Sequence, residues 1–304
     1  MDTDQEQETK GILYLCATPI GNLEDITLRV LRILREVDLI AAEDTRHTRK
    51  LLSHYDIHTR LTSYHKFNQA KKGEALLELL ASGKNIALVS DAGLPGISDP
   101  GAGLVAGALE KGLKVVPLPG PSAGITALVA SGLPAGEFVF AGFLPAAGKA
   151  RRQRLADLRS QKGTLIFYEA PHRLRSALAD FLAVLGNRPA AAARELTKKH
   201  EEIVRGSLQG LLEHFQAKEP RGEFTLVVAG ARETPAGCAG CEGGLAEKEP
   251  HLALDPAAHV ALLEAGGMER KEAIRRAARL RGLTRRDVYG AVVKEKEAKK
   301  KRGT

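Results

Sequence analysis

From Gly11 to about Gly230, short β-branched runs alternate with longer amphipathic ones. That alternation limits the chain to sheets covered by helices. ILYLCA (12–17), DLIAAED (38–44), a short run near Leu61, NIALVSD (85–91) and KVVPLPG (114–120) read as strands. Between them, helical spacing is predicted over 26–37 with Asp25 as N-cap, over 45–55, over 74–82 with Gly83 as stop, and over 103–111 with Gly112 as stop. The order predicts a parallel or mostly parallel sheet. Its strand ends run into TPIGN (18–22), EDTR (43–46), SDAGLPGISDPG (90–101) and PGPSAG (119–124). Ligands of such sheets sit beyond the carboxyl ends of the strands.

A second series follows. FVFAGF (138–143), TLIFYEA (164–170), AAAARELT (190–197) and EFTLVVAG (223–230) read as strands. A basic helix starts near Ala150, a helix from Pro171 runs to Gly186, and a Leu-rich helix lies between the last two strands. The expected division is a frayed start (1–10), α/β domains at 11–118 and 119–233, a Gly/Ala/Pro/Glu-rich linker (234–250) and a basic helical unit (251–304). In that unit helices are predicted at 256–266, 269–282 and 284–300, the last two joined around Gly282 and the last capped by Thr284. The unit has the pattern of a helix-turn-helix or of a helical hairpin.

Charge separates this appendage from the body. Residues 268–304 hold 14 Lys/Arg against 5 Asp/Glu, a net +9, whereas the whole chain is +8. A basic segment on a near-neutral body suits a polyanion, with nucleic acid the first candidate. The acidic, polar start and the lack of a long apolar run predict a cytoplasmic protein with no membrane span. Cys16 sits in a strand and reads as a buried small hydrophobe. The Cys238-Ala-Gly-Cys241 spacing has no second CxxC or His pair, so no metal is expected.

The loop 90–101 combines Gly93, Pro95, Gly96 and Pro100 with Asp91 and Asp99. Glycines admit close backbone approach and prolines fix loop shape. It reads as a rigid ligand loop or, alternatively, as a tight crossover with Asp99 as helix cap. No phosphate-loop or dinucleotide glycine fingerprint is present. His47, His54, His58 and His65 have no metal-pair spacing and read as surface residues.

Six segments then carry a resemblance: Ala17–Leu23, Ala42–Arg46, Ser90–Gly101, Pro119–Ala123, Tyr168–Arg173 and Arg194–Lys198. Together and in this order they resemble the tetrapyrrole-methylase superfamily and, within it, the group that methylates the ribose 2′-oxygen of a cytidine in 16S ribosomal RNA. The resemblance implies two α/β domains with S-adenosylmethionine in the cleft between them, a homodimer, and 16S ribosomal RNA or the small ribosomal subunit as partner. By position it implies cofactor contacts from Asp91, Gly93 and Leu94, from Ser122 and Ala123, and from Tyr168, Glu169 and Ala193. Thr18, Pro19 and Gly21 would shape the cleft floor.

Glu169, Glu195 and Lys198 are the candidates for taking the ribose proton, Lys198 only if its pKa is lowered. Arg46 and Arg173 are expected to hold phosphate or nucleotide. Lys149, Arg151 and Arg152, in KARRQR (149–154), are expected to contact RNA phosphates together with the basic unit. Two other readings share parts of this pattern: a small-molecule tetrapyrrole methylase, and a nonenzymatic nucleic-acid-binding regulator.

Overall fold

The computed structural model describes residues 10–231, 255–265, 267–281 and 283–302. Residues 1–9, the 234–250 linker with Cys238 and Cys241, and Gly282 lie outside the described residues. The chain divides into two compact units, Met1–Gly237 and Cys238–Thr304.

The first unit contains two five-stranded sheets. Sheet one comprises β1 (Ile12–Cys16), β2 (Leu39–Ala42), β3 (Leu61–Ser63), β4 (Ile86–Val89) and β5 (Lys114–Leu118), all parallel, in the order β3-β2-β4-β1-β5. Its helices are α1 (Leu28–Glu36), α2 (Thr45–His54), α3 (Gln69–Ala81) and α4 (Ala102–Glu110). The strands are apolar on both faces because both are covered. Along β4, Ala87 and Val89 pack with α1 and α2, whereas Ile86 and Leu88 pack with α3 and α4. In α1, Val30, Ile33 and Leu34 are at most 5% exposed, each contributing about 1.5–3 kcal/mol. Cys16 is buried, which pushes its thiol up to about 12.

Three local expectations are corrected. Thr27, not Asp25, caps α1: its Oγ1 accepts from the Val30 N–H at 3.2 Å, while Asp25 closes a single 3-10 turn after Asn22. Helix α3 starts at Gln69 rather than Glu74, since the polar turn 69–73 needs no apolar face to be helical. Asp99 does not cap α4, whose N-cap is Gly101.

Sheet two comprises β6 (Phe138–Phe143), β7 (Thr164–Glu169), β8 (Pro189–Arg194), β9 (Glu202–Ser207) and β10 (Phe224–Val228), in the order β6-β7-β10-β8-β9. It is mixed, not parallel. Only β6 and β7 run parallel; β10 lies antiparallel to both β7 and β8, and β8–β9 is a hairpin. The polar edge strand β9 escaped the sequence reading because it lacks clean alternation. So did helix α5 (Ala123–Ser131), which is apolar nearly all round. Helices α6 (Gly148–Leu158), α7 (Pro171–Leu185) and α8 (Leu208–Ala217) cover one face of this sheet. Among the described residues, the other face carries only α5, with Ile20 of the first lobe beside it.

The second unit has α9 (Pro256–Ala265), α10 (Arg270–Arg281) and α11 (Arg285–Arg302). They share a core of small and β-branched residues, including Ala257, Val260, Ala273, Ile274, Ala277, Val288 and Val292. Thr284 caps α11 as expected: its Oγ1 accepts from the Asp287 N–H and donates to Asp287 Oδ2 at 2.6 Å. Lys271, Arg275, Arg276, Arg285 and Arg286 are exposed.

Candidate functional site

The strand order of sheet one reverses between β1 and β4. β1 feeds α1 on one face on the way to β2, and β4 feeds α4 on the other face on the way to β5. The loops after these adjacent strands therefore part and open a crevice at the switch point. Thr18 and Gly93 exchange backbone hydrogen bonds of 2.9 and 3.0 Å across it. Thr18 Oγ1 donates to the Ser90 carbonyl at 3.0 Å, and Ser90 Oγ to the Gly93 carbonyl at 3.1 Å. Gly93 holds φ +83° and Gly101 φ +147°, both of which favour glycine. These constraints fix the loop 90–101 before any ligand arrives.

The crevice faces the sparsely covered side of sheet two, and the two enclose a cavity of about 420 Å³. From the first lobe come Ile20, Asp91–Leu94 and Ile97–Asp99; from the junction, Ser122 and Ala123. From the second come Phe143, Tyr168–Pro171, Ala193, Glu195, Leu196, Lys198 and Glu223–Thr225. Strand register builds one wall. Tyr168, Thr225 and Ala193 are direct neighbours across β7, β10 and β8 and share a face. Tyr168 Oη accepts from the Gly124 N–H at 3.2 Å, and its ring meets Phe140 and Phe143 at 5.1 and 5.5 Å between centroids.

The lining is acidic: Asp91, Asp99, Glu195 and Glu223 stand against one cation, Lys198, whereas the Glu169 carboxylate pairs with Arg173. Burial, then the charges of Glu43 and Asp91, push the Asp99 carboxyl from 3.8 up to about 6, against a hydrogen bond from Ser90. Burial and the Asp91 charge also raise Glu43. Burial raises the Tyr168 phenol. Glu169 is nearly inaccessible; its Oε1 accepts from the Ala170 N–H at 2.9 Å and lies 3.2 Å from Arg173 Nε, while Oε2 is buried with no hydrogen-bond partner. A mostly apolar cavity with an acidic lining suits a cationic ligand.

Asp91, Gly93, Leu94, Ser122, Ala123, Tyr168, Glu169, Ala193, Glu195 and Lys198, ten of the residues singled out in the sequence, converge on this wall. Others do not. Pro19 lies on a smaller pocket of about 120 Å³ with His47, Lys50 and Asp91. Gly21 packs against Leu196–Lys198, where a Cβ would collide with the Lys198 side chain. Lys198 lacks the lowered pKa that the role of base requires. Burial alone would lower its pKa, but hydrogen bonds to Glu223 Oε2 (2.9 Å) and Glu195 Oε1 (3.0 Å) outweigh it and raise the pKa. Glu195 is likewise occupied. Burial opposes, yet the Glu223 N–H and Lys198 together lower its pKa, which makes it a poor proton acceptor.

Among the arginines, Arg151 is corrected from phosphate ligand to scaffold. It is 6% exposed and pairs with Asp180 at 2.7 Å, joining α6 to α7. Arg173 donates to the Leu144 carbonyl at 2.7 Å and braces Glu169. Arg46 is exposed beside Asp44, and Lys149 and Arg152 lie on the surface of α6. Asp99 is named in the sequence only as part of the ligand loop or as a cap, and Phe143, Glu223 and Thr225 are not named. Asp99 had a signal, the ligand loop itself; the others depend on strand register.

Residues 12–212 match the family model of tetrapyrrole (corrin/porphyrin) methylases. The ribosomal RNA small subunit methyltransferase I of Halalkalibacterium halodurans is 48% identical over 289 residues, 94% of this chain and 96% of that one. The chain belongs to the ribosomal RNA small subunit methyltransferase I family of tetrapyrrole methylases. A Thermotoga maritima member of this family is 48% identical over 220 residues, 72% of this chain but 99% of that one. A crystal structure of diphthine synthase shares the fold, with a TM-score of 0.57 at 16% identity over 72% of this chain and 90% of that one. Among the described residues of this methylase, no helix is long and apolar enough to cross a membrane, and no cluster of His, Cys, Asp and Glu could hold a metal.

Proposed function

We propose that this chain uses S-adenosylmethionine to methylate the ribose 2′-oxygen of a cytidine in 16S ribosomal RNA, in the cytoplasm. The observation that carries the reading is the acidic switch-point cavity in a chain 48% identical, over nearly its whole length, to a ribosomal RNA small subunit methyltransferase I. The exposed arginines of the helical unit favour RNA over a tetrapyrrole as the acceptor.

The residues present fit the cofactor. The volume is that of a small-molecule site. The excess of carboxylates suits a ligand bearing a sulfonium and an ammonium. Gly93 and Leu94, Ser122 and Ala123, and Tyr168 with Ala193 would hold it. Bound there, S-adenosylmethionine supplies a methyl group activated by its positive sulfur. The protein's share is placement: the stapled loop 90–101 and the Tyr168–Thr225–Ala193 wall fix the direction of approach and exclude water. Glu195 and Lys198 hold each other and Glu223, so they shape the wall rather than carry the proton. Arg173 keeps Glu169 in position.

A second copy of the chain fits the exposed apolar face of sheet two. Phe138 and Phe140 on the edge strand β6 and Ile125 and Val129 on α5 are 37–74% exposed on the same side of the sheet. Such a patch marks an association surface, and we assign the homodimer contact to it.

The decisive experiment is transfer of labelled methyl from S-adenosylmethionine to small ribosomal subunits lacking the modification, with the labelled nucleotide mapped. A cytidine 2′-O-methyl is the expected product. Label on a base, or on uroporphyrinogen and not on subunits, overturns the reading.

A further inference from the structure

Two segments of the first lobe follow the carboxyl ends of β2 and β3 and carry no carboxylate. Residues 45–55 hold Arg46, Arg49 and Lys50; residues 64–73 hold Lys66, Lys71 and Lys72. All six are exposed, and only Arg46 has an acidic partner among the described residues. The starts of the segments are neighbours, because β2 and β3 are parallel and adjacent and both chains leave at the same end of the sheet, before α2 and α3 cover opposite faces. Tyr64, buried at 2% exposure, hydrogen-bonds through its N–H to the Ala42 carbonyl at 2.7 Å. Asn68 closes the loop, its Oδ1 accepting from the His65 N–H at 2.8 Å and its Nδ2 donating to Ser63. The loop is thus pinned at both ends, and at its tip Phe67 stands 94% exposed beside Lys66.

The α2 side of this surface is continuous with the site. Asp91 of the cavity wall accepts from the Asp44 N–H at the head of α2, at 3.0 Å. Asp91 also borders the small pocket that His47 and Lys50 line from α2. A pinned, bare aromatic ring amid unpaired cations matches single-stranded nucleic acid, where bases stack on rings and phosphates meet cations.

We infer that this face, with Phe67 as stacking platform and Lys50 and Lys66 as phosphate contacts, holds the RNA strand beside the target ribose. The inference rests on the RNA methyltransferase reading. Phe67 is a positioning residue here and touches no reacting atom.

The test compares Phe67→Ala, Phe67→Tyr and the Lys50→Ala/Lys66→Ala pair in the full chain. It measures kcat/KM on small ribosomal subunits and on a 16S RNA fragment, with cofactor affinity and melting temperature as controls. Phe67→Ala should lower kcat/KM by roughly tenfold, mainly through KM, and Phe67→Tyr should restore it to within about twofold. The lysine pair should flatten the dependence of log KM on log salt by about 1–2. Cofactor affinity and melting temperature should not move. Phe67→Ala activity equal to wild type, an equal loss in Phe67→Tyr, or an unchanged salt slope overturns the inference. A loss seen on subunits but not on the RNA fragment also overturns it, in favour of a ribosomal protein contact. Failure of the wild type to methylate RNA is a different outcome, visible before any variant is compared, and it removes the inference along with the function.

Discussion

Replacing Asp99 by Asn isolates the electrostatics of the cavity. In the ligand-free protein, burial and the neighbouring Glu43 and Asp91 place this carboxyl at about 6 instead of 3.8. At pH 5 roughly nine in ten Asp99 side chains are then protonated. A cationic cofactor favours the carboxylate, so binding returns Asp99 toward its ordinary range and releases a proton. If that return is complete, affinity for S-adenosylmethionine weakens about tenfold between pH 7 and pH 5, about 1.4 kcal/mol. The cofactor's own α-amino group stays charged over that interval, since such groups titrate near about 8. Stability runs the other way. The folded pKa lies above the unfolded value, so the contribution of Asp99 is fully present below about 4 and is lost as pH rises through about 6. Asp99→Asn should therefore flatten the affinity profile and raise the melting temperature of the ligand-free protein at pH 7.5. Calorimetry at pH 5 and 7, in buffers of different ionisation enthalpy, reads affinity and proton release together. Wild-type affinity that is flat with pH, or a variant with the wild-type slope, refutes the reasoning.

Arg151→Ala should destabilise the protein by about 3 kcal/mol, because it strips a buried ion pair and leaves Asp180 only the longer contact to Arg152. Thermal melting checks this; an unchanged melting temperature with weakened RNA binding would return Arg151 to the RNA surface. Ala193→Leu places a larger side chain on the cavity wall, and calorimetry should show at least a roughly tenfold loss of cofactor affinity at an overpacking cost of about 1–3 kcal/mol. Unaltered affinity would move the cofactor away from the Tyr168–Thr225–Ala193 wall. Val129→Asp puts a charge on the exposed apolar face at a position 74% exposed, so the fold should survive while the molar mass from light scattering drops to that of one chain. A dimer that persists places the contact elsewhere.

Local chemistry settles most of the strands and where the ligand loops fall, though not the polar edge strand β9. The strand-end runs from Thr18 to Ala123 need no partner to announce turns, since glycine and proline act on their own backbone. The helical unit is legible for the same reason: its charge is a property of composition, and Thr284 caps a helix through a residue three positions away. The cavity end of the first sheet also follows from order along the chain, because parallel strands with right-handed crossovers leave few topologies.

What the chain order leaves open is which charges meet. Lys198 and Glu195 look like a base and its neighbour in sequence, yet the turn between β8 and β9 brings both to Glu223, 25 and 28 residues away, where the Lys198 ammonium bridges the two carboxylates. Arg151 looks like one more cation in a basic run until α6 docks on α7 and turns it onto Asp180. Thr225 joins the wall only because β10 inserts between β7 and β8, and Asp99 acquires its raised pKa only once Glu43 and Asp91 are folded beside it. Backbone preference acts over a few residues and can be read from the sequence. Burial and Coulomb interactions act through space, so only the tertiary structure assigns those side chains their roles.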